Sequence, residues 1–149
     1  MDAKPPLKAR LASVWPIGEL SGWAGPSGFS SQSTAADVLR GVTLSGRVYI
    51  ITGGNAGLGR ATAAALAAAG ARVVIACRDA ARGEAAASEL DAAAAAAGAG
   101  GTVRFMLCDL ASFASVRAFA AAFIATGSEL HGLVCNGAPL QRACANHVV

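Results

Sequence analysis

Lysine is nearly missing from this chain of 149 residues: Lys4 and Lys8 are the only two, and the other ten of its twelve basic residues are arginines. Tyrosine occurs once, at Tyr49, and histidine twice, at His131 and His147. Neither histidine has a partner at a spacing that would make it the base of a nucleophile. Acidic residues number nine, so the net charge is only +3 and scattered, which argues against nucleic acid as a partner. No run of 18 or more strongly apolar residues exists, which argues against an integral membrane helix. The four cysteines, Cys77, Cys108, Cys135 and Cys144, lack the close spacing of a zinc site, and metal binding is not supported. The first three end apolar runs and read as buried, reduced thiols of an intracellular protein.

What is abundant is alanine. The hydrophobic fraction of 54% overstates the core, because much of it lies in runs such as "AAALAAAGA" and "DAAAAAAGAG". Alanine favours helix but buries little area per residue. The length suffices for one domain with one core. Residues 1–32, rich in Pro, Gly and Ser, read as an irregular arm. Its Lys4, Lys8 and Arg10 leave a targeting segment open, against which stand Asp2 and the lack of an amphipathic pattern. A short helix follows, with Thr34 and Asp37 in a capping-box pattern and Gly41 able to end it.

From there short β-branched runs alternate with helical ones. The expected strands are 47–52, 71–77, 102–108 and 130–135, and runs of this kind suit strands buried on both faces. The expected helices are about 58–69, 80–97 and 112–125, the second fraying in its polyalanine end at 92–101. In the third, Phe113, Val116, Phe119, Ala120 and Phe123 stand at helical spacing behind a Ser112 cap. Strand–helix repetition implies an α/β fold: a Rossmann-like parallel sheet with flanking helices and right-handed crossovers. Residues 33–149 would form its N-terminal part, about four strands in the order 3-2-1-4.

The stretch "ITGGNAGLGR" (51–60) leaves the first strand and opens the first long helix. There glycine permits a tight turn and lets backbone N–H groups approach a pyrophosphate, beside the partial positive charge of the helix start. Gly53, Gly57 and Gly59 are the candidate positions, with Asn55 able to brace the turn through its side chain. A glycine-rich loop alone is weak evidence; the flanking strand, the helix and a second strand ending about 20 residues on are what make it a dinucleotide site. That second strand ends in "IACRD". Arg78 offers a planar charged fork to a 2′-phosphate, favouring NADP(H) over NAD(H). Asp79 fits a helix N-cap as well as a ribose ligand. Arg60 could assist, or simply be a solvated helix residue.

The segment "TGGNAGLG" (Thr52 to Gly59) resembles the TGxxxGxG motif of the short-chain dehydrogenases/reductases. So do "LSGRVYIITGG" before it, "ACRD" (76–79), "CDLAS" (108–112) and "LVCNGA" (133–138). The lead-in "GPSGFSSQSTAADVLRG" (25–41) is similar to that of a narrower group, the retinol-dehydrogenase-like and WW-domain-containing oxidoreductases and a dehydrogenase of the chloroplast import machinery. The resemblance implies that Thr52 and Leu58 belong to the cofactor loop and that Asp109 and Leu110 meet the adenine ring. A helix cap is the alternative for Asp109. Asn136 would match the Asn of the family's NAG motif, although this chain reads "NGA".

The family polarises a carbonyl with a Tyr-x-x-x-Lys pair and transfers hydride from nicotinamide. No such pair occurs here, so no catalytic residue is assigned, and the expected chain is the NADP(H)-binding portion of an oxidoreductase, ending before the catalytic segment. A non-catalytic nucleotide-binding or regulatory module, or a product with no ligand, are the alternatives. The tail 138–149 departs from the family; its "NHVV" is open to coincidence, a skipped exon or a deletion. An open fourth-strand edge would invite self-association or a partner and leave the isolated chain poorly soluble or partly molten. Substrate is not readable, and the compartment stays open between cytoplasm and plastid.

Overall fold

The computed structural model describes residues 26–137; the first part of the N-terminal arm, Cys144, His147 and the tail 138–149 lie outside them. The chain divides into two compact units, Met1–Arg40 and Gly41–Val149.

In the first unit the capping-box sequence forms its helix, α1 (Ala35–Val38). The Thr34 hydroxyl accepts from the Asp37 N–H, and the Asp37 carboxylate accepts from the Thr34 N–H, which satisfies two donors that a helix start leaves unpaired. The Thr34 hydroxyl also donates to the Asp37 carboxylate at 2.6 Å, and this bond, followed by that from the Thr34 N–H, holds the Asp37 carboxyl below its ordinary value.

The second unit begins its sheet with β1 (Val48–Thr52). It continues through α2 (Gly57–Ala68), β2 (Arg72–Cys77), α3 (Ala80–Ala97), β3 (Thr102–Leu107), α4 (Phe113–Ala125) and β4 (Gly132–Val134). The four strands are parallel, in the order β3-β2-β1-β4. Register places Ile51 opposite Ile75 and Ile50 opposite Leu133. The expected topology is therefore the observed one.

Two layers of contact hold the sheet. On one face α2 and α3 meet it, with Ile51, Val73, Ile75, Ala63, Ala67, Ala86 and Leu90 buried. On the other, Val48, Ile50, Ala76 and Cys108 close around Phe123 of α4, with Val74, Met106, Val116 and Phe119 partly buried against them. Alanine-faced helices can approach the sheet closely, and Gly83 of α3 does so: a Cβ there would lie 2.3 Å from the Phe105 ring.

Several expectations are corrected. Only β1 and β2 are largely buried on both faces. β3 and β4 are the sheet's edges, and each is covered incompletely, with Leu107 and Leu133 exposed. α4 buries a narrower stripe than its sequence pattern implies, since Phe113 is 81% exposed and Ala120 is exposed too. At about 100° per residue those two stand roughly 80° and 60° around the helix from Phe123, outside the arc that holds Val116 and Phe119. The polyalanine end of α3 does not fray before Ala97; Gly98, at φ 73°, stops it in the left-handed conformation. Buried Leu90 and Ala94 hold that helix to the sheet. Cys135 is exposed rather than buried, because β4 ends one residue earlier.

Candidate functional site

The C-terminal ends of β1, β2 and β3 converge on a cleft of about 170 Å³, lined by Gly53, Ala76, Cys77, Arg78, Cys108, Asp109, Leu110, Ala111 and Gly137. Ligands of open parallel sheets bind outside the carboxyl ends of the strands, where the strand order reverses; here β1 lies between β2 and β4.

The turn after β1 is built for close approach. Gly53 has φ 66° and Gly57 φ 55°, left-handed values that other residues rarely adopt. Gly59 is needed for space: a Cβ on it would lie 2.5 Å from the Gly53 carbonyl oxygen and 2.6 Å from Asn136 Nδ2. Gly54, which sequence reasoning did not single out, is equally constrained, since a Cβ there would meet the Ile75 side chain at 2.6 Å. Its signal was its place in the same run, but the Ile75 contact comes from strand register.

Asn55 makes no side-chain hydrogen bond among the described residues, so it does not brace the turn as expected. Asn136 does so from across the sheet. Its Nδ2 donates to the carbonyls of Thr52 at 3.3 Å and Gly53 at 3.4 Å. The Gly137 N–H donates to Thr52 Oγ1 at 2.9 Å, and the Thr52 hydroxyl reaches the Val134 carbonyl at 3.5 Å. Thr52, buried, thus ties the glycine turn to the segment after β4. The "NGA" order also finds a reason: a Cβ at Gly137 would come within 3.1 Å of the Gly53 nitrogen and 3.2 Å of Leu110.

The start of α2 is left open electrostatically. Among the described residues the other three helices are capped by the side chains of Thr34, Asp79 and Ser112, whereas the N-cap of α2 is Ala56, which has no side-chain cap to offer. Its first amides therefore stay available to an anion, which the helix dipole also favours. The glycine cradle and these amides suit a pyrophosphate.

Other candidates fall into place around that cradle. Asp79 caps α3, accepting from the Arg82 N–H at 3.0 Å, and its other oxygen lies 3.5 Å from Arg82 Nε. Arg78 is exposed at the cleft and has no ion pair among the described residues. Asp109 is not a helix cap: its Oδ1 accepts from the Ala111 N–H at 3.0 Å in a tight turn, while Ser112 caps α4. Leu110 lines the cleft at 38% exposure; Leu58, at 80%, does not line it. Arg60 is ion-paired with Glu89 on α3, across the exposed face of the two helices. His131 Nδ1 accepts from the Val48 N–H at 3.1 Å, so that histidine serves the sheet. No group of three or more potential metal ligands occurs among the described residues.

Cys77 and Cys108 both border the cleft. Burial pushes each thiol above the ordinary cysteine value, and the neighbouring Asp79 and Asp109 charges act in the same direction. A raised value means less thiolate, the reactive form, at any given pH. Limited alkylation at neutral pH should therefore modify the exposed Cys135 first and spare Cys77 and Cys108 until the pH is raised. Peptide mapping by mass spectrometry checks the order; labelling of Cys77 or Cys108 as fast as Cys135 would contradict it.

Comparison with known proteins agrees with this geometry. A family model described as short chain dehydrogenase matches residues 47–148. The bovine dehydrogenase/reductase SDR family member 13 is 49% identical over 94 residues, 63% of this chain and 24% of that protein. The chicken WW domain-containing oxidoreductase is 44% identical over 110 residues, 74% of this chain and 26% of that protein. The chain thus spans about a quarter of the length of these curated relatives. Among solved structures, the Pseudomonas aeruginosa RhlG/NADP active-site complex superposes with a TM-score of 0.55 at 36% identity, covering 63% of this chain and 35% of that one. With the glycine turn and the strand order in place as well, the chain belongs to the short-chain dehydrogenase family.

Proposed function

We propose that this chain is the NADP(H)-binding portion of a short-chain dehydrogenase/reductase-type oxidoreductase, the full-length activity being hydride transfer between an alcohol or carbonyl and the nicotinamide. One observation carries the cofactor preference. The acid that could take a ribose hydroxyl, Asp79, is committed to the α3 cap and to Arg82, whereas Arg78 stands unpaired at the cleft. A 2′-phosphate gives that guanidinium a partner, and a bare hydroxyl does not. The relative solved with NADP supports the same reading.

In this assignment Gly53, Gly57 and Gly59 seat the pyrophosphate against the open start of α2, Thr52 and Asn136 hold the turn in shape, and Asp109 and Leu110 border the adenine. Asn55 and Leu58 belong to the loop without a contact that holds the cleft. The cofactor supplies the hydride; this chain's residues bind and orient it. The sequence contains no Tyr-x-x-x-Lys, so no proton-transfer role is assigned to its residues. A second reading is a nucleotide-binding module without turnover. In either case the outer edge of β4 offers backbone groups for strand pairing, with another chain or a second copy.

Calorimetric titration of the full chain with NADPH and with NADH tests the assignment. NADPH should bind at least roughly tenfold more tightly, and Arg78→Gln should weaken NADPH by about 10–100-fold, the loss of a charge-assisted bond, while leaving NADH nearly unchanged. Equal affinities, or an Arg78→Gln variant indifferent to NADPH, would overturn the preference. Turnover of any alcohol or carbonyl by this chain alone would exclude the non-catalytic reading.

A further inference from the structure

We propose a second binding site at the opposite end of the sheet, one that takes a small amphipathic monocarboxylate. A cleft of about 140 Å³ opens there beneath the C-terminal end of α4, at the N-terminal ends of the strands. Its charge comes from Arg72 and Arg104, beside the hydroxyl residues Thr102, Thr126 and Ser128, and its apolar wall includes Val74, Met106 and Phe123.

Register places the two arginines together. Arg72 lies opposite Thr102 and Val74 opposite Arg104, so Arg72 and Arg104 are diagonal neighbours on the face that carries Val74. Neither has an ion pair among the described residues. Two like charges side by side on one sheet face repel, and a shared anion relieves that repulsion. The nearby end of α4 does not neutralise them. Its last carbonyls are taken by its own turn, Phe123 O by the Thr126 N–H and hydroxyl and Ile124 O by the Gly127 N–H.

The walls decide what kind of anion fits. A phosphate could use the two arginines and the flanking hydroxyls but would leave the wall of Phe123, Met106 and Val74 uncovered. A carboxylate on a short aliphatic body places its charge on the guanidinium pair and its methylenes on the apolar wall. A cleft of about 140 Å³ limits that body to a few carbons.

Calorimetric or NMR titration of the full chain with hexanoate tests this, using hexanamide and inorganic phosphate as comparison probes. Saturable hexanoate binding is expected, with hexanamide and phosphate each at least tenfold weaker. The double variant Arg72→Gln/Arg104→Gln should lose at least tenfold in hexanoate affinity, and Arg117→Gln, on the exposed side of α4, should lose none. Far-UV circular dichroism confirms that both variants keep the fold; the single variants Arg72→Gln and Arg104→Gln carry the test if the double variant does not. Absence of saturable binding, equal binding of hexanamide or phosphate, or equal losses from Arg117→Gln would each overturn the proposal.

Discussion

Gly59→Val should abolish measurable NADPH binding, a loss of more than roughly 100-fold, while leaving most of the secondary structure in place. A Cβ at residue 59 has nowhere to go: it would lie 2.5 Å from the Gly53 carbonyl oxygen and 2.6 Å from Asn136 Nδ2. The first neighbour is backbone and the second is a side-chain end held by its bonds to Thr52 and Gly53, so α2 must move away from the turn after β1. That movement opens the cradle in which the helix amides face the ligand, and the Asn136 hydrogen bonds that shape the turn go with it. Overpacking of this kind costs about 1–3 kcal/mol of stability. Gly57→Asn is the informative contrast. A Cβ at Gly57 meets nothing within 4 Å, and only its φ of 55° resists substitution. Asparagine tolerates that conformation, so this variant should keep the fold, and its affinity should fall less than that of Gly59→Val, through the side chain it places beside the pyrophosphate. Titration of both variants with NADPH, alongside far-UV circular dichroism, checks the pair. A folded Gly59→Val chain that binds like the parent would end the assignment of this turn as the nucleotide cradle.

Ile51→Ala should cost about 3–5 kcal/mol, the upper part of the range for deleting a buried isoleucine, and should broaden or abolish the thermal transition. Ile51 is 0% exposed, in a central strand with β2 on one side and β4 on the other. The cost belongs at the upper end because the cavity cannot collapse. α2 meets the sheet through Ala63 and Ala67, whose short side chains have no atoms to move into the space. A loss of that size takes a large share of a small domain's total stability, about 5–15 kcal/mol. Phe113→Ala removes a larger side chain but one that is 81% exposed, and it should shift stability by no more than about 0.5 kcal/mol. Chemical denaturation followed by circular dichroism measures both. Equal destabilisation by the two substitutions would show that the packing around α4 differs from that described.

Sequence alone was most informative where a few adjacent residues settle the outcome. The caps at Thr34, Asp79 and Ser112 are each a local contest between a side chain and its own backbone, and all three occur as expected. The strands are apolar, β-branched runs bounded by turn residues, which is why their places were legible before any coordinates, and their alternation with helices implied the parallel arrangement. The glycine turn was equally legible, since its spacing and its place between strand and helix are both written in one stretch.

What escaped depends on residues far apart in the chain. Periodicity marked five positions of α4 as one face, yet the sheet meets only the arc of Val116, Phe119 and Phe123, and nothing local says how a helix is rotated on its support. Cys135 ends an apolar run like Cys77 and Cys108 but sits beyond an edge strand of three residues. Asn136 bracing the glycine turn across 83 residues, the Arg60–Glu89 pair, and the meeting of Arg72 with Arg104 all follow from register and helix placement. The sequence by itself determined the fold class, the approximate positions of the strands, the caps and the position of the cradle, because short-range backbone preference and hydrophobic patterning govern those. Only the tertiary structure decided which face each helix buries, which cysteine is open, and which charges are spent on partners. Those outcomes belong to the packing of elements against each other, a competition among surfaces that no single stretch of chain contains.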